Sequence, residues 1–255
     1  MTEVNFALSG GGARGVAHLG VLKALEEAGI CPAAISGTSA GSIVGAFICD
    51  GFSVDEAIEI ISWSDLKNKV NLRGLRENLF TMEPVEKLLK QNLRSKTIEQ
   101  LQKPFYVTSA DFNTGMPHVF SSGSIIERVI SSCSIPFVFA PVFINDIPYV
   151  DGGLSCNIPV EPFAESNKKL VGVNVNPVLP YDKNLGFWGK MDRTLNLFIK
   201  ANATQNIAKC DVFIEPMGLE KFYLFDSKHF KEMIEVSYQY TKNNFPKDVL
   251  EKELK

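Results

Sequence analysis

Ala33-Ala-Ile-Ser-Gly-Thr-Ser-Ala-Gly-Ser-Ile-Val-Gly-Ala46 sets a serine between two glycines, each two positions away, where a short apolar strand gives way to a helix. In Gly37-Thr38-Ser39-Ala40-Gly41 the small residues let the chain turn sharply enough for the Ser39 side chain to stand clear of a strained backbone. Strand, tight turn and helix in succession are the building unit of an α/β sheet, and a hydroxyl raised at such a turn has the posture of a nucleophile. The same five residues also serve as a plain packing turn, so their meaning depends on what precedes and follows them.

Upstream, Asn5-Phe-Ala-Leu-Ser9 reads as a buried strand ending in Gly10-Gly11-Gly12-Ala13-Arg14-Gly15. Beyond it Val16, Leu19, Leu22, Leu25 and Ala28 recur at helical spacing, and Gly29 supplies a C-terminal stop. Gly10, Gly12 and Gly15 satisfy G-x-G-x-x-G, the pattern of a loop that holds a pyrophosphate on backbone N–H groups. A dinucleotide site also needs a carboxylate at the end of the next strand, which here runs into Gly37-Thr38-Ser39 instead. The other use of such a loop is to aim its N–H groups at a developing oxyanion, aided by the positive end of the following helix. Loop one then stabilises charge and loop two attacks, both at the carboxyl ends of adjacent parallel strands. Arg14 either binds a negative group of the substrate or anchors the loop to nearby carbonyls.

A chain of 255 residues buries a substantial core without disulfides or metals, and 45% hydrophobic with 22% charged residues is an ordinary globular composition. The net charge of -3 gives no electrostatic footprint for nucleic acid. Cys31, Cys49, Cys133, Cys156 and Cys210 are scattered, without a C-x-x-C pair to hold a metal, and read as reduced thiols of a reducing compartment. Met1-Thr-Glu-Val-Asn5 carries no secretory signal, and no apolar run reaches the roughly 18 residues of a spanning helix. These features predict a cytoplasmic protein whose membrane contact, where there is any, is peripheral.

Further along, Ala40 to Cys49 reads as a small-residue helix, and Ser53-Val-Asp-Glu56 as a capping box opening another helix through Ile61. From Trp63 to Arg76, Lys67, Lys69, Arg73 and Arg76 mix with Leu66, Val70, Leu72 and Leu75, as a cover over the site or as a solvated helix face. Pro84 opens a helix to about Leu93. Phe105 to Asp111 and Pro117 to Ser121 form a strand pair around Asn113-Thr114-Gly115, and Ser124-Ile-Ile-Glu127 caps a helix to about Ser131. Val142 to Ile144 and Pro148 to Val150 flank Asn145-Asp146 as a hairpin whose second arm delivers Asp151-Gly152-Gly153. A helix start from Val160 and a strand from Lys169 to Asn176 follow, then a loop from Val178 to Lys190. In that loop Phe187-Trp188 either packs on the body or dips into a lipid interface. Met191 to Ile207 is helical, Asp211 to Glu215 is a last strand, and two helices close a chain expected to be one domain over 1–255.

Three motifs now stand in order: Gly10 to Gly15, Gly37 to Gly41 and Asp151 to Gly153. With their flanks, Gly10-Gly-Gly-Ala-Arg-Gly-Val-Ala-His-Leu-Gly-Val-Leu-Lys-Ala-Leu25, Ser134-Ile-Pro136, and Tyr149-Val-Asp-Gly-Gly-Leu154 followed by Asn157 and Pro159, they resemble the patatin-like phospholipase family. The likeness runs from Asn5 to about Asn176, with residues 177–255 outside it. It implies a three-layer α/β fold with a mainly parallel sheet between helices, and acyl-ester hydrolysis on lipids by a serine–aspartate pair without cofactor or metal. Carried onto this chain, Ser39 is similar to the family nucleophile and Asp151 to its partner. Gly10, Gly11 and Gly12 with Arg14 match the oxyanion loop, supported by Gly15, Gly37, Gly41, Gly152 and Gly153.

The histidines bear on the same question without the resemblance. A triad in the order Ser, Asp, His requires His229, because His18 and His118 precede Asp151. His229 opens an amphipathic helix among Lys228, Lys231 and Glu232 and reads as exposed, whereas His18 sits where it packs locally. Three readings stay open on the residues: a serine acyl hydrolase of lipid esters, an acyl-chain or partner-binding regulator on the same fold, and a nucleotide-binding enzyme.

Overall fold

Alternation along the first strand decides how the sheet is covered. In β1 (Thr2–Leu8), Val4, Phe6 and Leu8 enter one buried apolar cluster and Ala7 enters another. A strand buried on both faces belongs inside a sheet with helices on either side. The computed structural model, which describes residues 1–63, 81–178, 180, 185–224, 226 and 228–246, has that architecture. The 64–80 part of the mixed basic and apolar segment, and the side chains of Trp63, Phe187 and Trp188, lie outside the described residues.

β1 runs parallel to β2 (Ile30–Thr38) on one side and β7 (Leu170–Val173) on the other. β3 (Phe105–Asp111) extends the parallel set beside β2, and β8 (Val212–Ile214) extends it beside β7. The far edge is antiparallel: β4 (Pro117–Phe120) and β6 (Ile147–Asp151) both pair with β3, and β5 (Val142–Ile144) pairs with β6. Asn145 and Asp146 take φ of 49° and 64°, the left-handed pair that a tight hairpin between twisted strands requires.

The larger cluster gathers α1 (Ala17–Glu27), α2 (Ala40–Cys49), α3 (Val54–Trp63), α4 (Glu83–Asn92), α5 (Ile125–Cys133) and α7 (Phe230–Asn244). The smaller joins Ile158, Val160 and Phe163 to Ala203 of α6 (Phe187–Ile207) on the opposite face. Ser237 Oγ of α7 donates to Ala17 O of α1 at 2.8 Å, so the end of the chain is tied to its beginning. The Ser53 capping box forms in full, with Ser53 N–H donating to Glu56 and Ser53 Oγ accepting the Glu56 N–H, whereas at Ser124 only half of the box forms: its Oγ accepts the Glu127 N–H while the Glu127 carboxylate pairs with Arg128.

Three expectations about the tail change. α6 begins at Phe187 and absorbs Gly189, because the cost of one glycine, about 1 kcal/mol, is small for a helix of 21 residues. The helix expected from Val160 is only a 3-10 turn, Glu161–Phe163. Of the two closing helices, one is α7, and among the described residues the other is replaced by the 3-10 turn Leu219–Lys221 before it. Among the described residues no helix is long and apolar enough to cross a membrane.

Candidate active site

Two register pairs along β3 set the site. Thr38, the last residue of β2, stands opposite Thr108, and Asp151, the last residue of β6, stands opposite Ser109. Ser39 and Asp151 therefore arrive at the same height on either side of one strand. Ser39 Oγ donates to Asp151 Oδ2 at 2.7 Å, and each residue is only 6% exposed.

The turn holding the hydroxyl is strained. Ser39 sits at φ 50°, ψ -124°, a conformation that side chains other than glycine rarely adopt. It persists because its neighbours come too close for any other path. A Cβ on Gly37 would lie 2.6 Å from Gly41 O, and one on Gly41 would lie 2.6 Å from both Leu8 O and Ser9 O. The Ser39 N–H donates to Ser132 Oγ of α5 at 2.8 Å, and that hydroxyl donates in turn to Thr108 O at 2.5 Å. Ser132 thus braces the turn against β3, yet nothing in the sequence around it distinguishes it from other helical serines.

Asp151 uses its two oxygens differently. Oδ1 accepts the Gly153 N–H at 2.7 Å, which leaves Oδ2 aimed at Ser39. Burial raises its pKa from the ordinary 3.8 to about 6, against the opposing pull of the hydrogen bonds from Ser39 and Gly153. The neighbouring Cys133 thiol is pushed up by burial and further by the Asp151 charge, so it stays protonated. Each of the three histidines is engaged elsewhere. His18 is buried with its pKa lowered to about 4 by desolvation, and its Nε2–H donates to Ser9 O at 2.8 Å. His118 stacks beside Phe120 and Tyr149, and exposed His229 pairs through Nδ1 with Asp226 at 2.8 Å.

The glycine loop is pinned on nearly every side. Gly10 N–H donates to Asn157 Oδ1 at 3.0 Å, and Gly10 O accepts Asn176 Nδ2 at 2.7 Å. Ala13 N–H is taken by Leu224 O at 2.7 Å and Arg14 N–H by Gly11 O at 3.1 Å. The buried Arg14 guanidinium donates through Nη2 to Asn196 Oδ1 of α6 at 2.6 Å, the anchoring use of that residue. Among the described residues Gly11 and Gly12 keep N–H groups without an acceptor. Of the four loop residues Gly10, Gly11, Gly12 and Arg14, the outer two therefore have their N–H groups engaged within the protein. Asn157 was legible only as part of the flank after Asp151-Gly-Gly, and Asn176 only as the end of a strand.

Two cavities meet at Ser39. One is lined by Gly11, Ser39, Asp151 and Asn157, with Leu154 and Phe198 at its edge. The other is an apolar groove among Val16, Ile43, Val44, Ile61, Val85 and Phe230. Ser39, Gly12 and Ile135 line both.

A mainly parallel sheet between helical layers, with a glycine loop and a serine elbow at adjacent strand ends, defines an α/β protein built like the patatin-like phospholipases. The family model of that name, "Patatin-like phospholipase", matches residues 6–164, and the chain belongs to this family. An uncharacterized NTE family protein of Mycobacterium tuberculosis is 31% identical over 195 residues, covering 72% of this chain and 32% of that one. Lysophospholipase NTE1 of Kluyveromyces lactis is 27% identical over 93% of this chain and 19% of its own length. The chain thus spans about a third or less of these two relatives. VipD from Legionella pneumophila superposes with a TM-score of 0.62 at 14% identity, over 98% of this chain and 67% of that one. The type III effector protein ExoU gives 0.51 at 15% identity, over 100% and 54% respectively. At such identities these two structures share the fold.

Proposed function

We propose that the protein is a serine acyl hydrolase that cleaves fatty-acyl ester bonds of lipids, with Ser39 as nucleophile and Asp151 as its base. The observation that carries this reading is the direct 2.7 Å contact from Ser39 Oγ to Asp151 Oδ2. Gly11 and Gly12 N–H groups beside it serve as oxyanion donors, joined by Ala40, whose N–H opens α2 without an intrahelical acceptor. The apolar groove that opens on the same hydroxyl takes the acyl chain. The family match and the lysophospholipase name of the Kluyveromyces relative point the same way. We read the described residues as one domain, since β7, β8 and α7 complete the sheet and helical layer begun within residues 6–164.

In this mechanism Asp151 accepts the Ser39 proton while Oγ bonds to the ester carbonyl carbon, and the carbonyl oxygen becomes an oxyanion facing the glycine amides. Collapse breaks the ester C–O bond, and Asp151 returns the proton to the departing alcohol. A water molecule then gives its proton to Asp151 and its oxygen to the acyl carbon. Ser39 Oγ leaves with that proton and the fatty acid is released. A carboxylate near its ordinary pKa is too weak a base for this role, and the rise to about 6 brings it close to neutral pH. Loss of one oxyanion donor costs about 3 kcal/mol in comparable sites, so the amides matter nearly as much as the acid.

A fluorophosphonate probe and a lipid-extract comparison test the proposal together. Wild-type protein should be labelled at Ser39 and should release fatty acid from the extract, and Ser39→Ala should do neither. Folded wild-type protein that resists the probe and leaves the extract unchanged would replace the enzyme with an acyl-chain or partner-binding protein on the same fold.

A further inference from the structure

Among the described residues four other than glycine take positive φ: Ser39 at the elbow, Asn145 and Asp146 in the hairpin, and Phe137 at 67°. Phe137 is neither a turn-former nor buried, for it is 93% exposed. An aromatic residue in that conformation is a costly arrangement, and here the surroundings enforce it. Ile135 O accepts both the Val138 N–H at 3.2 Å and the Phe139 N–H at 2.8 Å, closing a turn with Phe137 at its tip. Ser134 O, one residue earlier, accepts the Asp151 N–H at 2.9 Å, so the turn is fastened to the backbone of the site itself. Ile135 lines both cavities at Ser39 and Phe139 lines the apolar groove, while the ring between them stands out into solvent.

The turn itself is apolar. From Ser134 to Ile144 the chain carries no charged residue. Leu154 at 50% exposure and Phe198 at 66%, from two other parts of the chain, line the cavity that Ile135 also lines. We propose that the turn Ile135–Phe139 docks the protein on a lipid surface, with the Phe137 ring inserted at the entrance to the Ser39 cavity. The nature of the occupant rests on the lipid-ester reading. A protein seated on these side chains would shut the way to Ser39, whereas a lipid surface presents an ester to it. The absence of charge along the turn selects a zwitterionic or neutral surface over an anionic one.

The test uses the Ser39→Ala protein, so that vesicles are not consumed and the result does not depend on catalysis. Flotation with phosphatidylcholine vesicles should show partition about tenfold or more weaker after Phe137→Asn, a residue that tolerates the left-handed conformation. Phe137→Trp should keep partition within about twofold of the parent, and raising the salt concentration should leave it unchanged because the contact is apolar. With Ser39 restored, Phe137→Asn should leave kcat/KM on a monomeric short-chain ester unchanged. Independently of any variant, amides 135–140 should gain hydrogen-exchange protection when vesicles are added. Equal partition of Phe137→Asn and its parent, partition abolished by salt, or unchanged exchange of those amides overturns the proposal. A dimer that Phe137→Asn dissociates overturns it as well, by assigning the face to a second copy of the chain. If esters prove not to be substrates, only the turnover measurement fails, and partition still reports on the surface.

Discussion

Replacing Asp151 by Asn should stabilise the protein while abolishing its chemistry, and the size of the gain follows from the burial of one carboxylate. A rise from 3.8 to about 6 means that the ionised form costs the native state about 3 kcal/mol relative to the unfolded chain. The sign follows from proton counting. Between pH 3.8 and about 6 the native state holds a proton that the unfolded chain has released, so stability falls as pH rises through that window and stays low above it. Below pH 3.8 both states are protonated and the penalty is absent. Asn has nearly the same shape, accepts the Gly153 N–H through its carbonyl, and has no charge to desolvate. Urea denaturation of both proteins at pH 8 should therefore place Asp151→Asn about 3 kcal/mol above wild type, or about 6 to 12 °C higher in Tm for a chain of this size. At pH below about 4 the two should coincide. Ester turnover should drop about a hundredfold or more, the usual worth of a general base. A variant less stable than wild type at pH 8, or a difference that does not change with pH, would refute the desolvation account. Retained turnover would refute the role as base.

Three other outcomes are expected. The acid limb of kcat/KM should have its inflection at about 6, as Asp151 takes up its proton and can no longer accept that of Ser39, and a pH–rate profile of the wild type checks it. Ser39→Gly should be more stable than Ser39→Ala by about 1 kcal/mol, because glycine relaxes at φ 50° where alanine keeps the strain. Thermal denaturation of the two inactive proteins measures that difference. Ile43→Trp, in the wall of the apolar groove, should lower kcat/KM for long-chain esters about tenfold or more and leave acetyl esters nearly unchanged, as read from a chain-length series.

Local physics made much of this molecule legible from residue order. Gly37 and Gly41 around Ser39 marked a turn that only small residues can make, and contacts of their absent Cβ atoms with main-chain oxygens show why. Asn145-Asp146 marked a hairpin because those side chains tolerate positive φ, and Ser53-Val-Asp-Glu56 marked a helix start because it satisfies its own first N–H groups. Asn5-Phe-Ala-Leu-Ser9 marked a buried strand, and β1 there sends its side chains into the clusters on both faces of the sheet. Short-range rules of this kind are written within a few residues of the element they govern. They failed at Gly189, where the length of α6 outweighed a local helix-breaker.

The residue order alone determined a mainly α/β chain with a serine raised at a strand-to-helix turn, a glycine loop before it and an aspartate on a distant hairpin. Only the tertiary structure decided that β6 pairs with β3 in the register that sets Asp151 level with Ser39, separated by 112 positions along the chain. It alone decided that Asn157, Asn176 and Leu224 take up the Gly10 and Ala13 main-chain groups on either side of Gly11 and Gly12. The physical reason is that pairing register, burial and the pKa they produce are properties of groups brought together across the sheet, and no short window of sequence contains both members of such a pair.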